Sequence, residues 1–264
     1  MTPRPRPILR PNLAEIQTQY VGNSIAVPEP MQSLLSNPVL VIERQLEMMS
    51  VIAGFEQLNR YTIYNPQGTT LGYMEEVDNS FTRAVMRQIY RLHRPFTVNV
   101  YDAGGNHAMT IRRPFSFINS HIFSVLPGRD HTDATAIVGE SRQEWHLWRR
   151  RYNLYTNNTE KMEMDQFARV DAPFLSFSFP ALDQDARLVA SVDRNWVGLA
   201  REMFTDTGVY VLRLGGPELA DLGMPLRPHQ LSFQERAVML SLAVSVDFDY
   251  FSRHSNRGSV MYYE

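Results

Sequence analysis

The sequence predicts a mainly β fold: a closed antiparallel β-barrel around one buried, hydrophobic C-terminal helix. Two observations predict it. Many short β-branched and aromatic runs are separated by polar turns, which favours a closed antiparallel barrel over an alternating α/β fold. One segment near the C-terminus is apolar on every side: from Ala237 to Val246 only Ser241 and Ser245 interrupt it. A helix of that kind must be surrounded, either by protein or by lipid. Its length of about 15 Å is half the ~30 Å hydrocarbon core of a bilayer. Glu235 and Arg236 close the run on one side, and Asp247 and Asp249 on the other. Extending it to bilayer length would bury those charges, so it is read as enclosed in protein, with membrane insertion as the alternative. Ser232 and Glu235 form a capping box that starts the helix at Phe233, and it is expected to run to about residue 251. Ala237, Ser241 and Ser245 make a strip of small side chains along it. Such a strip lets another backbone approach closely, in a barrel or in a membrane alike.

The elements follow in order. Pro3, Pro5, Pro7 and Pro11 interrupt the basic start at Arg4, Arg6 and Arg10. They forbid the amphipathic helix of a mitochondrial presequence, so residues 1–36 are expected to be a disordered, partly polyproline arm. Folding should begin near Pro38 with the β-rich run Val39 to Ile42. Gln45 to Ala53 fits a short helix or a strand continuation. Arg60–Tyr64, the turn Asn65-Pro-Gln-Gly68 and Thr69–Tyr73 read as a hairpin. Phe81 to Leu92 has helical spacing. Phe96–Tyr101, the turn Asp102–Asn106 and His107–Ile111 make a second hairpin. Phe115 to Leu126 reads as a strand broken by Asn119, followed by a polar loop from Pro127 to Thr135. Then come Ala136–Val138, Trp145–Tyr155, Met162–Val170, and a hairpin of Phe174–Phe179 and Arg187–Val192 around Asp183. Trp196–Phe204, Val209–Leu214 and a Gly/Pro-rich loop from Gly215 to Pro228 lead into the final helix. The hairpins at Phe96 and Phe177 share a layout of aromatic strand, acidic turn and apolar strand ending in Arg. Two half-barrels of similar design would explain this, and so would chance.

Composition removes several function classes. The net charge of −2 gives no global field for nucleic acid or an anionic membrane. There is no cysteine, which excludes disulfides, thiol catalysis, cysteine-bound zinc and S-palmitoylation. The seven histidines have no zinc-ligand spacing. No P-loop, G-x-S-x-G or G-x-G-x-x-G occurs, and no constellation for covalent or acid–base chemistry is found. The chain is therefore not read as an enzyme.

Six motifs in order point to a family. Ile52-Ala-Gly-Phe-Glu56 with Asn59–Ile63 resembles the opening of the phospholipid scramblase domain. Arg94-Pro-Phe-Thr97 leading to Asp102 and Arg113-Pro-Phe115, Trp145-His146, Asn195-Trp-Val-Gly198, Phe204-Thr-Asp206, and Ala237-Val-Met239 with Asp247-Phe248 follow in the family's order. The chain resembles fungal, mitochondrial-type members from about Leu40 to His254. The resemblance implies a Tubby-like barrel around a central helix, here over residues 37–256, with 257–264 as a tail. It also implies ATP-independent, calcium-stimulated, bidirectional movement of phospholipids at a membrane, with the mitochondrion as the expected location and the cytoplasm or plasma-membrane periphery as the alternative. A soluble Tubby-like module that binds headgroups or proteins without moving lipid is the other reading of function.

Two departures qualify the resemblance. Where family members carry a palmitoylated cysteine cluster, this chain reads Ser116-Phe-Ile-Asn-Ser120. The family's calcium segment begins at Asp206, but the later ligand places hold Gly208, Tyr210, Val211 and Pro217, which supply none of the side-chain oxygens or the Gly and Glu of an EF-hand-like loop. No cofactor is expected, and calcium only through the resemblance, with Asp206 as its one remaining ligand. The candidate lipid contacts are Trp145, Trp148 and Arg149-Arg150-Arg151, with a weaker set at Arg112 and Arg113. Interfacial tryptophan beside arginine suits anionic headgroups such as cardiolipin. The structural alternative is a strand with two arginines outward and one paired to Glu144 or Glu140. Alternate residues of a strand face opposite sides, so only part of the triplet can touch lipid.

Overall fold

The structure is a computed structural model that describes residues 25–45, 60–77, 95–116, 119–194 and 209–251. Twelve strands form one closed antiparallel barrel, in which each strand pairs with its neighbours in sequence and β1 closes on β12. The first half holds β1 (Val39–Gln45), β2 (Arg60–Tyr64), β3 (Thr70–Glu76), β4 (Phe96–Asp102), β5 (His107–Arg113) and β6 (His121–Val125). The second holds β7 (Ile137–Glu144), β8 (Arg149–Asn158), β9 (Glu163–Pro173), β10 (Ser178–Leu182), β11 (Leu188–Arg194) and β12 (Val209–Arg213). A barrel of eight strands is filled by its own side chains, and its diameter grows with strand number. Twelve strands leave room for a further element, and a helix about 10 Å across fits it.

That element is the C-terminal helix, Phe233–Val246, every residue of which is buried. The capping box is present: the Glu235 N–H donates to Ser232 Oγ at 3.2 Å, and the Ser232 N–H donates to Glu235 Oε2 at 2.7 Å. The expected end near residue 251 also stands, although the last five residues, Asp247–Phe251, wind as a π-helix. The strip of small side chains faces β6 and β7. Ser241 Oγ lies 2.7 Å from Ser124 Oγ, and Ser124 Oγ donates to the Ala237 carbonyl at 3.3 Å. Gly139 pairs with Ser124 across β6 and β7, and a Cβ there would sit 2.4 Å from the Tyr155 carbonyl and 2.5 Å from Val238 Cγ2.

The two ends of the barrel differ. At one end the strands are joined by tight turns, and two of these are built alike. In the turns at Asp102 and Asp183 the carboxylate accepts the N–H four residues on, from Asn106 at 2.8 Å and from Arg187 at 2.9 Å. The preceding residue has positive φ in both: Gly105 at 80° and Ala186 at 58°. The hairpins at Phe96 and Phe177 thus share backbone design as well as residue pattern, in places six strands apart around the barrel. The same end is plugged by α1 (Glu29–Leu35), whose Met31, Leu34 and Leu35 are buried. The final helix, α3, is preceded by a short helix, α2 (Pro217–Ala220). Arg236 of α3 donates to the carbonyls of Leu231, Leu35 and Asn37 at 3.2, 2.8 and 3.3 Å, tying plug to helix. At the other end lies the C-terminus of α3, whose acids are held inside the barrel. Tyr61 Oη donates to Asp247 Oδ2 at 2.5 Å, and Tyr210 Oη to Asp247 Oδ1. Arg113 Nη1 and Tyr152 Oη donate to Asp249 at 2.5 and 3.1 Å.

Several expectations change. The irregular arm expected to run through residue 36 gives way to α1 at Glu29–Leu35: Pro30 opens that helix, and Met31, Leu34 and Leu35 place one apolar stripe on the core. Trp145–Tyr155 is not one strand, because Trp145–Trp148 is a loop between β7 and β8. Phe174–Phe177 is likewise a loop, and β10 starts only at Ser178. Residues 1–24, the expected helix at Phe81–Leu92, the segments Gln45–Ala53 beyond Gln45 itself and Trp196–Phe204, and the tail 257–264 lie outside the described residues.

Gly139→Ala is expected to lower unfolding stability by about 2 kcal/mol, because neither the strand carbonyl nor the packed Val238 can recede freely. Met239→Asp, at a fully buried position, should abolish soluble expression, since an unpaired buried carboxylate costs several kcal/mol. Denaturant melts and soluble yield measure the two. Wild-type behaviour of both variants would contradict an enclosed α3.

Candidate membrane-contact site

The arginine triplet opens β8, and its three side chains divide as alternation requires. Tyr152 and Leu154 are buried, so Arg150 shares the inward side with them at the rim, while Arg149 and Arg151 face outward. Both outward guanidiniums meet Asp171 of the neighbouring strand β9. Arg149 Nε donates to Asp171 Oδ1 and its Nη2 to the Asp171 carbonyl at 2.9 Å, and Arg151 Nε donates to the same Oδ1 at 3.3 Å. Partial burial pushes the Asp171 carboxyl up, and the bonds and charges of Arg149 and Arg151 outweigh it, holding the group below the usual carboxylate range. Arg151 also lies 3.8 Å from Glu144. Arg150 Nε donates to the Phe174 carbonyl at 3.2 Å, with its guanidinium 3.9 Å from the centre of the Phe174 ring. The structural alternative therefore describes the outward pair well, and Arg150 serves a third purpose by bracing the β9–β10 loop.

Trp145 and Trp148 sit on the loop ahead of this strand. The Trp145 N–H donates to Asn119 Oδ1 at 3.0 Å and the Trp148 N–H to His146 Nδ1 at 3.2 Å, which fixes the loop backbone and leaves both indoles outward. The neighbouring loop, residues 174–177, is joined to it by the Phe174 N–H donating to the Trp148 carbonyl at 3.1 Å. Between the loops lies a cleft of about 220 Å³ that includes His146, Leu147, Arg149, Arg150 and Phe174 in its lining. Sequence reasoning missed Phe174, Leu175 and Phe177, which are all exposed. Pro173, immediately before Phe174, was the available signal that the strand ends there.

The second candidate pair is divided by the barrel wall. Arg112 lies on the outer side, half-buried, and is bonded to Asp130 of the β6–β7 loop. Arg113, expected beside it as a lipid contact, is inside the barrel: it is buried, bonded to Asp249 and set 4.7 Å from the Phe96 ring centre. Residues Ala108 to Ile111 ahead of it are all buried, so only the register reveals which arginine points in.

Asp206 lies outside the described residues. Of the later places in its loop, Tyr210, Val211 and Pro217 are described. Val209–Arg213 is strand β12, paired to β1 and β11, and the Tyr210 hydroxyl is spent on Asp247 inside the barrel. Among the described residues no group of three or more His, Asp and Glu side chains is placed to hold a metal ion.

The sequence that builds this barrel is matched by a known family. The Scramblase family model matches residues 18–253. The chain belongs to the scramblase family. Among its relatives, altered inheritance rate of mitochondria protein 25 of Saccharomyces cerevisiae is 51% identical, over 94% of this chain and 81% of that protein. A phospholipid scramblase family protein of Schizosaccharomyces pombe is 41% identical, over 88% of this chain and 65% of the relative. Phospholipid scramblase 1 of Mus musculus is 25% identical over 87% of this chain and 66% of its own length. This chain thus spans just under two thirds of the length of those last two relatives. No solved structure matches it.

Millimolar calcium is expected to leave the melting temperature of this scramblase family member unchanged, since a ligand that binds only the folded state must raise it. A rise of several degrees that disappears in Asp206→Ala would mean that ligands elsewhere in the chain complete a site.

Proposed function

We propose that this scramblase family member moves phospholipids between the leaflets of a membrane, in both directions and without ATP, and that the membrane is mitochondrial. Family membership carries the reading of lipid movement, and the name of the Saccharomyces cerevisiae relative motivates the location. The rim that carries Trp145, Trp148 and the arginine triplet is the surface through which the barrel would meet lipid. Phospholipid is the proposed partner, with anionic species such as cardiolipin preferred through the arginines. Calcium is given no part in this reading, which is supported by Tyr210 and Val211, two later places of its loop, lying in β12.

The second reading is a lipid-headgroup or protein-binding module that moves no lipid. One observation favours it: α3 is enclosed, and no helix among the described residues is long and apolar enough to cross a membrane. Proteoliposomes with a fluorescent phospholipid in both leaflets separate the two. Lipid movement predicts that added dithionite bleaches the inner-leaflet label as well, without ATP and equally with or without calcium. Bleaching confined to the outer leaflet, in vesicles that demonstrably carry the protein, would leave the binding module.

A further inference from the structure

Six of the ten large apolar side chains that the described residues leave exposed sit on two adjacent loops at one end of the barrel: Trp145, Leu147 and Trp148 between β7 and β8, and Phe174, Leu175 and Phe177 between β9 and β10. They are between 45% and 82% exposed. Single exposed apolar residues are ordinary, but a cluster of this size marks a contact surface. The loops are held together by the Phe174 N–H to the Trp148 carbonyl, and by Arg150, which bonds the Phe174 carbonyl and covers its ring.

We infer that these two loops form a two-pronged bilayer anchor, with Phe174, Leu175 and Phe177 as a second prong beside the tryptophans, and that the barrel docks on the membrane with this rim foremost. The inference rests on the membrane reading of the same site and adds its mode of contact. The commitment to a bilayer follows from the vertical order of the chemistry. Apolar and indole side chains stand at the loop tips, and the guanidiniums of Arg149, Arg150 and Arg151 begin in the strand immediately behind them. Tips in the acyl boundary would place arginine at the level of the phosphates, the arrangement that interfacial anchors use. The strand directions fix the orientation. The C-terminal end of α3, with Asp247 and Asp249, lies at this same rim, whereas the tight turns and the α1 plug lie at the other end. Rim-first docking therefore sets the acid end of α3 facing the bilayer.

The anchor has two separable components. Attraction of arginine to an anionic surface is screened over about 8 Å at physiological salt, whereas burial of Leu175 and Phe177 is not. The experiment uses the full chain carrying Trp196→Phe, so that Trp145 and Trp148 alone report, with vesicles of phosphatidylcholine and cardiolipin whose phosphatidylcholine acyl chains are brominated. Indole emission should be quenched on binding. Binding should weaken but persist at about 0.5 M salt. Leu175→Ser with Phe177→Ser should weaken binding about tenfold or more at either salt, and Leu175→Ser alone, at an 82% exposed side chain, should weaken it with an unchanged melting curve. Replacing Arg149 and Arg151 with Gln, which leaves the Arg150 brace in place, should remove the salt-sensitive part only. Unquenched tryptophan in bound protein, or parental binding by the Leu175/Phe177 variant, overturns the anchor. Light scattering that shows a dimer lost in that variant, with lipid binding intact, would make the patch a contact with a second copy and overturn it too. Emission already blue-shifted without vesicles would mean that the chain covers its own tips, and this would equally overturn the anchor. A parent that binds and is quenched but bleaches no inner-leaflet label leaves the anchor standing and removes only lipid movement.

Discussion

Two carboxylates at the buried end of α3 constrain the whole barrel. Asp247 and Asp249 follow the last α-helical turn, where the helix dipole already disfavours negative charge, and both are buried. Burying a carboxylate is tolerable only if it is paired and hydrogen-bonded. The barrel meets that demand from strands far apart in sequence. Asp247 receives the hydroxyls of Tyr61 from β2 and Tyr210 from β12, with Arg44 of β1 at 3.9 Å. Burial, and then the Asp247 charge, push both phenols well above their usual range, so they remain donors. Asp249 receives Arg113 from β5, Tyr152 from β8 and Ser245 from its own helix at 3.2 Å. Five strands thereby converge on two side chains. The Phe96 and Phe248 rings, stacked at 4.1 Å, seal Arg113 against solvent.

This arrangement fixes register as well as position. A one-residue slip in β2, β5, β8 or β12 would turn its tyrosine or arginine to the outer face and leave a carboxylate alone. The opposite end imposes a weaker version of the same rule through Arg236, whose Nη1 donates to carbonyls that α1 and the chain after it provide. An apolar helix with a near-uniform surface has no preferred rotation of its own. The polar groups at its two ends, with the Ser124–Ser241 contact between them, supply that preference.

Much of the fold was legible because its signals are local. The capping box, the charges that end the apolar run, and the Asn65 and Asp102 turns each act within a few residues. The missing parts depend on context. Met31, Leu34 and Leu35 carry a helical stripe, but a four-residue spacing in a proline-rich stretch is too short to outweigh its surroundings. Phe174-Leu-Ser-Phe177 has the composition of a strand, and only the loss of pairing partners after Pro173 makes it a loop. At the candidate site, residue types named the right strand, yet not the use of each arginine. Arg113 and Arg112 are adjacent in sequence and lie on opposite sides of a wall, and Arg150 braces a loop that begins more than twenty residues later. Such roles are set by cross-strand register, which a single sequence does not display.

The enclosed helix also bears on how a barrel of this kind can act on lipid. Drawing α3 into a bilayer would strand Arg113 and both aspartates, and breaking one buried charged pair costs about 3–5 kcal/mol. It would also leave twelve strands around an empty interior, with the loss of every contact made by fourteen buried residues. Apolar loops that enter one leaflet require neither change, because their side chains are exposed beforehand and their backbones are already fixed. Docking by such loops would leave α3 and its buried ion pair and hydrogen bond at Asp249 in place. On rim-first docking the acid end of the helix would be the fixed base of the rim, held by Tyr61, Tyr210, Arg113 and Tyr152.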